Sequence, residues 1–385
     1  MAKLGEVCDF YAGTGFPNEY QGRATGKYPF YKVGDISKNV LEGNRELKTC
    51  ANYVEEDVVQ KLKGSILPPK TIVFAKIGEA LKLNRRAITS CECLVDNNVM
   101  GIKAQNVRLN DEYLFYWLQN LNLSDYSEST TVPSVKKSRL QNIEINVSPL
   151  EEQEKVVSTL NKLSSLILAR KKQLSKLDEL VKAWFVEMFG DPVVNSKRWP
   201  VETIENHIDL LTGFPFDSSG YVSKGVNICG GLIIMPQKID WSACKHWPQI
   251  TGYEDYILRP NDIVIALDRP WISNGFKIAM VDREHLPALL IQRTARIRAV
   301  DINQHYLMQS LLLGRFDKHC NITGSLVPHI SPKDIKSYSV MIPPIELQNQ
   351  FATFVERVDQ QKQTVQQSLE KLKLMKKALM QEYFG

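Results

Sequence analysis

Cationic and carboxamide side chains gather at matching places in the two halves of the 385-residue chain. Lys76, Lys82, Asn84, Arg85 and Arg86 follow an apolar run at residues 71–75. Guanidinium and carboxamide groups pair bidentately with guanine and adenine edges, and lysines bind phosphate oxygens. The stretch reads as a contact loop or, more plainly, as a solvated basic loop. Thr130, Thr131, Ser134, Lys136 and Lys137 form a second surface suited to gripping a backbone. In the C-terminal half the counterparts are Arg269, Trp271, Asn274 and Lys277, then Thr323, Ser325, His329 and Lys333. Arg293, Arg296 and Arg298 form a row along an expected strand, on which Arg296 and Arg298, two apart, share one face. Such a row faces either a polyanion or the solvent at a sheet edge.

Other chemistries find little footing. The six histidines show no HExxH or paired metal spacing, and no metal site is expected. The seven cysteines are odd in number, with no CxxC pair, and read as reduced thiols of a cytoplasmic protein. Cys91 and Cys93 are the one close pair; on a strand they would share a face and pack together. Methyl transfer would need a glycine-rich cofactor loop and an Asn/Asp-Pro-Pro-aromatic motif. Pro68-Pro69 and Pro343-Pro344 lack the preceding residue, and Gly13-Thr14-Gly15 lacks the third glycine. A phosphate-binding loop ending in Lys-Ser/Thr is missing as well. Asp35, Glu46 and Lys48 fit a nuclease spacing only loosely, of the kind chance supplies. The chain is expected to bind rather than to catalyse, without a cofactor of its own.

What must position these loops is a segment that occurs twice. PLEEQEKVVSTLNKLSSLILARKKQLSKLDELVKAWFVEMFG starts at Pro149, and PIELQNQFATFVERVDQQKQTVQQSLEKLKLMKKALMQEYFG starts at Pro344. An offset of 195 superposes them without a gap, pairing Gln153 with Gln348, Leu177 with Leu372 and Gly190 with Gly385. A period this long divides the chain into two similar halves. Each copy reads as one helix on the order of 60 Å long. Val156, Leu160, Leu163, Ile167, Leu174, Leu177 and Val181 keep a four-three spacing that continues to Trp184 and Met188, with Arg170 interrupting it. Phe351, Val355, Val358, Leu369, Leu372 and Leu379 repeat it, with Lys362 and Lys376 inside the seam. That is a coiled-coil seam wanting a partner helix. Val157, Leu166, Leu180, Phe185, Phe354, Leu374 and Met380 lie off the seam, as spare apolar surface for a bound partner.

The rest of the chain repeats too. Leu211-Thr212-Gly213-Phe214-Pro215 echoes Gly13 to Pro17, and ILRPNDIVIALDRP echoes ILPPKTIVFAKIG, placing buried strands at 71–76 and 263–267. Phe16 and Phe214 are expected to pack in cores, with a wedge between base steps as the other option. DEYLFYWLQN and INQHYLMQSLLL read as matching helices. The expected division is residues 1–148, a first globular domain; 149–190, a helix; 191–343, a second domain; and 344–385, a second helix. The formal net charge is +5. Residues 150–190 carry seven basic against six acidic side chains and 345–385 six against five, so the surplus sits mostly in the globular halves. That permits a phosphate-facing surface. No apolar stretch follows Met1 or approaches a membrane span.

With this internal order, and with VP-x-I/V…PP/SP-L/I-E-x-Q running twice into a long helix, the whole chain resembles the specificity subunit of a type I restriction-modification system. The resemblance implies an α+β fold: two mixed target-recognition domains separated by two long antiparallel helices in a coiled-coil spacer, with pseudo-twofold internal repeat. It implies that the chain reads a bipartite, asymmetric site on double-stranded DNA. It further implies two methyltransferase subunits and one or two restriction/translocase subunits as partners. S-adenosylmethionine would belong to the methyltransferase, ATP and Mg to the restriction subunit. The rival reading is a coiled-coil adaptor with two protein-binding heads, which would show no salt-dependent retention of DNA.

Overall fold

A computed structural model describes residues 1–48, 50–128, 132–320 and 328–385. The chain forms two compact units, Met1–Lys172 with Gln366–Gly385, and Gln173–Val365. The long helices Leu150–Phe189 and Ile345–Phe384 each contribute to both.

In the first unit, four strands form an antiparallel sheet in the order Cys8–Ala12, Val99–Ala104, Ile72–Ala75, Arg86–Ile88. The central strand Ile72–Ala75 is buried throughout, as its unbroken apolar run requires. Behind the sheet lies the helix Asp111–Asn120, started by Asn110, whose side chain accepts from the Glu112 and Tyr113 amides. Ile72, Phe74, Ile102, Phe115 and Tyr116 close the core with Val157 and Leu160 of the first long helix and Met380 of the second. A smaller sheet pairs Tyr28–Tyr31 with Tyr53–Val54 and, in parallel, with Leu94–Val95.

The second unit uses the same sheet order: Ile208–Thr212, Thr294–Ala299, Ile263–Ala266, Ile278–Met280. Its helix Gln304–Leu313 starts at Asn303, which accepts from the His305 and Tyr306 amides. Phe185, Phe189, Tyr306 and Phe351 form an aromatic knot among the helices, with ring centroids 4.8–5.6 Å apart.

The repeated glutamine of the E-x-Q element has a physical task in each unit. Gln153 is fully buried; its Oε1 accepts from the Asn110 amide at 2.9 Å, and its Nε2 donates to the carbonyls of Arg108 at 2.8 Å and Ser148 at 2.7 Å. Gln348 likewise accepts from the Asn303 amide at 2.8 Å and donates to the Pro343 carbonyl at 2.7 Å. One carboxamide thus ties the start of a long helix to the start of the core helix. Gln153→Leu strands a buried donor and two acceptors and is expected to cost about 1–3 kcal/mol in urea unfolding of the full chain. Gln153→Glu should fare no better, because a carboxylate cannot donate to two carbonyls.

Every predicted seam residue is buried or half-buried except Trp184, which is 40% exposed and falls off the seam. In the first unit Ser164 Oγ accepts from Lys376 Nζ at 2.9 Å, and Val157 and Leu160 pack with Met380, so the helices run antiparallel there. In the second, Lys362 reaches Asp178 at 2.7 Å and Phe185 meets Phe351, again antiparallel. Thus Lys362 and Lys376 sit in the seam with partners rather than as defects. Three off-seam assignments need correction: Phe185, Val157 and Met380 are buried, 0%, 8% and 9% exposed, because near their ends the helices pack into a unit's core. Leu166, Leu180 and Leu374 are exposed as expected, and Phe354 is half-buried against Trp184.

Cys91 and Cys93 are not on a strand. Cys91 is exposed in a bend and Cys93 is buried, so they do not pack as a pair. No helix among the described residues is long and apolar enough to cross a membrane.

His207 clamps the edge of the second unit. It is buried, with Nδ1 2.8 Å from Asp301 Oδ1 and Nε2 3.2 Å from Glu202 Oε2. Burial alone pushes its pKa down, but the hydrogen bonds to both carboxylates outweigh this and hold it above the usual 6.5. A folded-state pKa raised over the unfolded one gives stabilisation that is complete below the unfolded pKa and lost as pH rises through the folded one. The melting advantage of the natural chain over His207→Asn is therefore expected to shrink as pH rises above about 6.5. An advantage that grew over that range would reverse the assignment.

Candidate nucleic-acid interface

In the first unit the strand Ile72–Ala75 ends at Lys76, whose carbonyl accepts from the Val135 amide at 2.9 Å; Gly78 then donates to Pro133 O at 2.8 Å. These bonds bring the segment 134–137 beside the end of the central strand. Lys76, Ser134, Lys136 and Lys137 meet there around a cavity of about 340 Å3, whose apolar wall is Phe10, Tyr11 and Met100. Lys137 Nζ lies 5.9 Å from the Phe10 ring centre. Lys136 is held by Glu128 at 2.6 Å. Phe10 and Tyr11 escaped the sequence reading because an aromatic on an edge strand carries no signal until its neighbours are placed.

The basic stretch 82–86 is not a single loop. It begins as a helical turn, Glu79–Lys82, with Lys82 paired to Glu79 at 2.7 Å, and ends in the strand Arg86–Ile88. Lys82 is exposed and Arg85 half-buried. Asn84, at φ +52, donates to Leu121 O at 3.1 Å and accepts from the Leu123 amide at 3.2 Å. Arg86 is 3% exposed and donates to the carbonyls of Asn84 and Leu121 at 3.0 and 2.6 Å. Burial pulls its guanidinium down to about 9. Both side chains fasten the helical turn to the core, which removes them from the accessible candidates.

The second unit repeats the backbone scaffold. Ile330 donates to Leu267 O at 2.8 Å and Arg269 to Pro328 O at 2.9 Å. Asp268, at the end of the central strand, gathers His329 Nδ1 at 2.7 Å and Arg293 Nε at 3.3 Å. Arg269, Asn274 and Lys333 are exposed, and Trp271 stacks on Phe276 with ring centres 5.0 Å apart. Lys277 points inward: it is 7% exposed, and its Nζ donates to Gly231 O. Burial, then the charge of Arg269, lowers its pKa. Thr130, Thr131, Thr323 and Ser325 lie outside the described residues.

The expected row of three does not form, since Arg293 lies before the strand, and Arg296 and Arg298 serve neither expected purpose. Arg296 is 4% exposed and meets Asp209 at 2.5 Å; Arg298 pairs with Asp262 at 2.6 and 2.8 Å. Both are internal ties of the sheet. Arg293 precedes the strand at φ +63 and stays 76% exposed on its side chain. Phe16 stacks on Phe30 at 3.7 Å, and Phe214 packs with Phe216, Tyr253 and Tyr256, so both belong to cores. Among the described residues no group of three His, Cys, Asp or Glu converges as metal ligands.

Basic side chains stand near the end of the central strand in each of the two mixed α+β units: Lys76, Lys136 and Lys137 in one, Arg269 and Arg293 in the other. A family model described as the type I restriction modification DNA specificity domain matches residues 1–179 and 250–374, and the chain belongs to that family. It is 25% identical over 307 residues to the type I restriction enzyme MjaVIII specificity subunit of Methanocaldococcus jannaschii, covering 74% of this chain and 72% of that one. The solved S subunit of a type I restriction-modification system from M. genitalium superposes with a TM-score of 0.59 at 14% identity, covering 100% and 95% of the two chains. A chain from a structure titled for complex assembly and conformational transition of the type I R-M system gives 0.52 at 18% identity, covering 100% and 96%. At these identities the structural likeness shows the fold. The chain is thus a DNA-specificity subunit, a recognition subunit and not a catalytic one.

Proposed function

We propose that each unit reads one half of a bipartite, asymmetric target on double-stranded DNA, and that the two long helices act as an antiparallel coiled-coil spacer between the heads. Residues 1–148 and 191–343 are the two target-recognition domains in this reading; 149–190 and 344–385 are the spacer segments, related by a pseudo-twofold repeat. The single observation that carries it is the shared strand order of the two sheets, combined with different chemistry at the ends of their central strands: Lys76 and Lys137 in one, Asp268, Arg269 and Arg293 in the other. Like scaffolds with unlike contact residues read unlike half-sites, and each base pair contributes about 1–3 kcal/mol of discrimination.

The accessible candidates are Lys76, Lys82, Arg85, Ser134, Lys136 and Lys137 in the first head, and Arg269, Asn274, Arg293, His329 and Lys333 in the second. Chemistry is recruited in this reading: two methyltransferase subunits, using S-adenosylmethionine, and one or two restriction/translocase subunits, using ATP and Mg. Exposed Leu166, Leu180 and Leu374 supply apolar surface for them. Exchanging residues 1–148 for the same region of a relative, followed by mapping of modified bases in cells that hold the methyltransferase, tests the division. One half of the motif is expected to change; a change in both halves would end this reading.

A further inference from the structure

The two units differ at the connection from the central strand to the edge strand. In the first unit it is the helical turn Glu79–Lys82, fastened from behind by Asn84 and Arg86. In the second it is a hairpin, in which Trp271 pairs with Phe276 and Ile272 with Gly275. The hairpin's neck is rigid: the Trp271–Phe276 stack rests on Phe316 at 5.6 Å, and Lys277 donates its amide to Pro270 O at 2.7 Å. Its tip is free. Ile272, Ser273 and Asn274 are exposed, and Gly275 holds φ +125, a conformation side chains rarely adopt. Arg269 at the neck and Arg293 beside it supply positive charge, and Asp268 is hydrogen-bonded to His329 as well as paired with Arg293.

We propose that this hairpin enters the DNA major groove and is the base-reading element of the second unit, with Asn274 pairing to an adenine edge and Ile272 packing on a thymine methyl group. The assignment rests on the DNA-reading role stated above and names its direct contact. Two strands about 4.8 Å apart fit a groove about 12 Å wide. A carboxamide matches the adjacent donor and acceptor of adenine, and an apolar tip matches the thymine methyl. A phosphate contact alone would need neither residue. Arg269 and Arg293 would then grip the backbone beside the hairpin.

The test uses the full chain with its methyltransferase subunit and a duplex library with a randomised central segment, sequenced after selection. Asn274→Ala is expected to relax preference for one A·T pair by about ten- to a hundredfold, with the other half-site, the salt slope and the melting curve unchanged. Ile272→Ser should weaken the preference for thymine at the same or the adjacent pair. Arg269→Ala with Arg293→Ala should instead weaken all sequences alike and flatten the salt slope by about one per residue. If Asn274→Ala and Ile272→Ser left both half-site preferences intact while the natural chain still selected a motif, the hairpin assignment would be wrong and the DNA-reading role would stand. A natural chain that selected no motif would overturn both.

Discussion

Phe185→Ala is expected to destabilise the second unit by about 3–5 kcal/mol, the range for emptying a fully buried aromatic site. The Phe185 ring touches Phe189 at 5.0 Å, Phe351 at 5.4 Å and Tyr306 at 5.5 Å, so its loss opens a cavity bordered by both long helices and the core helix Gln304–Leu313. Its neighbour Trp184 is 40% exposed and meets only the half-buried Phe354 in an aromatic pair, so Trp184→Ala should cost under about 1 kcal/mol. Hydrogen exchange resolves the two. With Phe185→Ala the amides of Gln304–Leu313 should lose protection while those of Asp111–Asn120, in the other unit, keep theirs. The opposite order of effects would put the apolar stripe back in the strict heptad phase.

That phase marks where the sequence was a good guide and where it stopped being one. The heptad count finds both 40-residue helices and their inward faces, because an apolar period is a local property. It misplaces Phe185 because an α-helix has 3.6 residues per turn, and the last turns of the first helix answer to the second unit's core instead of a partner seam. The helix Asp111–Asn120 and the central strands were legible for the same local reason. Contact residues were less so. Charge alone cannot tell Arg86, whose guanidinium serves two carbonyls in the interior, from Arg85 beside it. Nor can it tell Arg296 and Arg298, matched to Asp209 and Asp262 from distant stretches, from the exposed Arg293. Buried cations are recognised only once their acceptors are in place, and those acceptors are set by the tertiary fold.

The same distinction decides which first-unit lysines should matter for DNA. Lys76 and Lys137 border an apolar-walled cavity, and Lys137 lies over the Phe10 ring; Lys136 is neutralised by Glu128, with Arg139 3.9 Å from the same carboxylate. Lys76→Ala with Lys137→Ala is expected to flatten the dependence of log affinity on log salt by about 1.8, since each phosphate contact contributes about 0.9. By the same counterion arithmetic, affinity at about 0.15 M salt should fall roughly thirtyfold for specific and random duplexes alike. Lys136→Ala should flatten the slope less, because its ammonium is already engaged by Glu128 and is not free for a phosphate. Fluorescence anisotropy of the full chain with its methyltransferase subunit, across a salt series, reads both quantities. An unchanged slope would make Lys76 and Lys137 ordinary solvated lysines. A loss confined to one sequence would make them base readers, and the backbone grip of the first head would have to come from Lys82 and Arg85 on the helical turn.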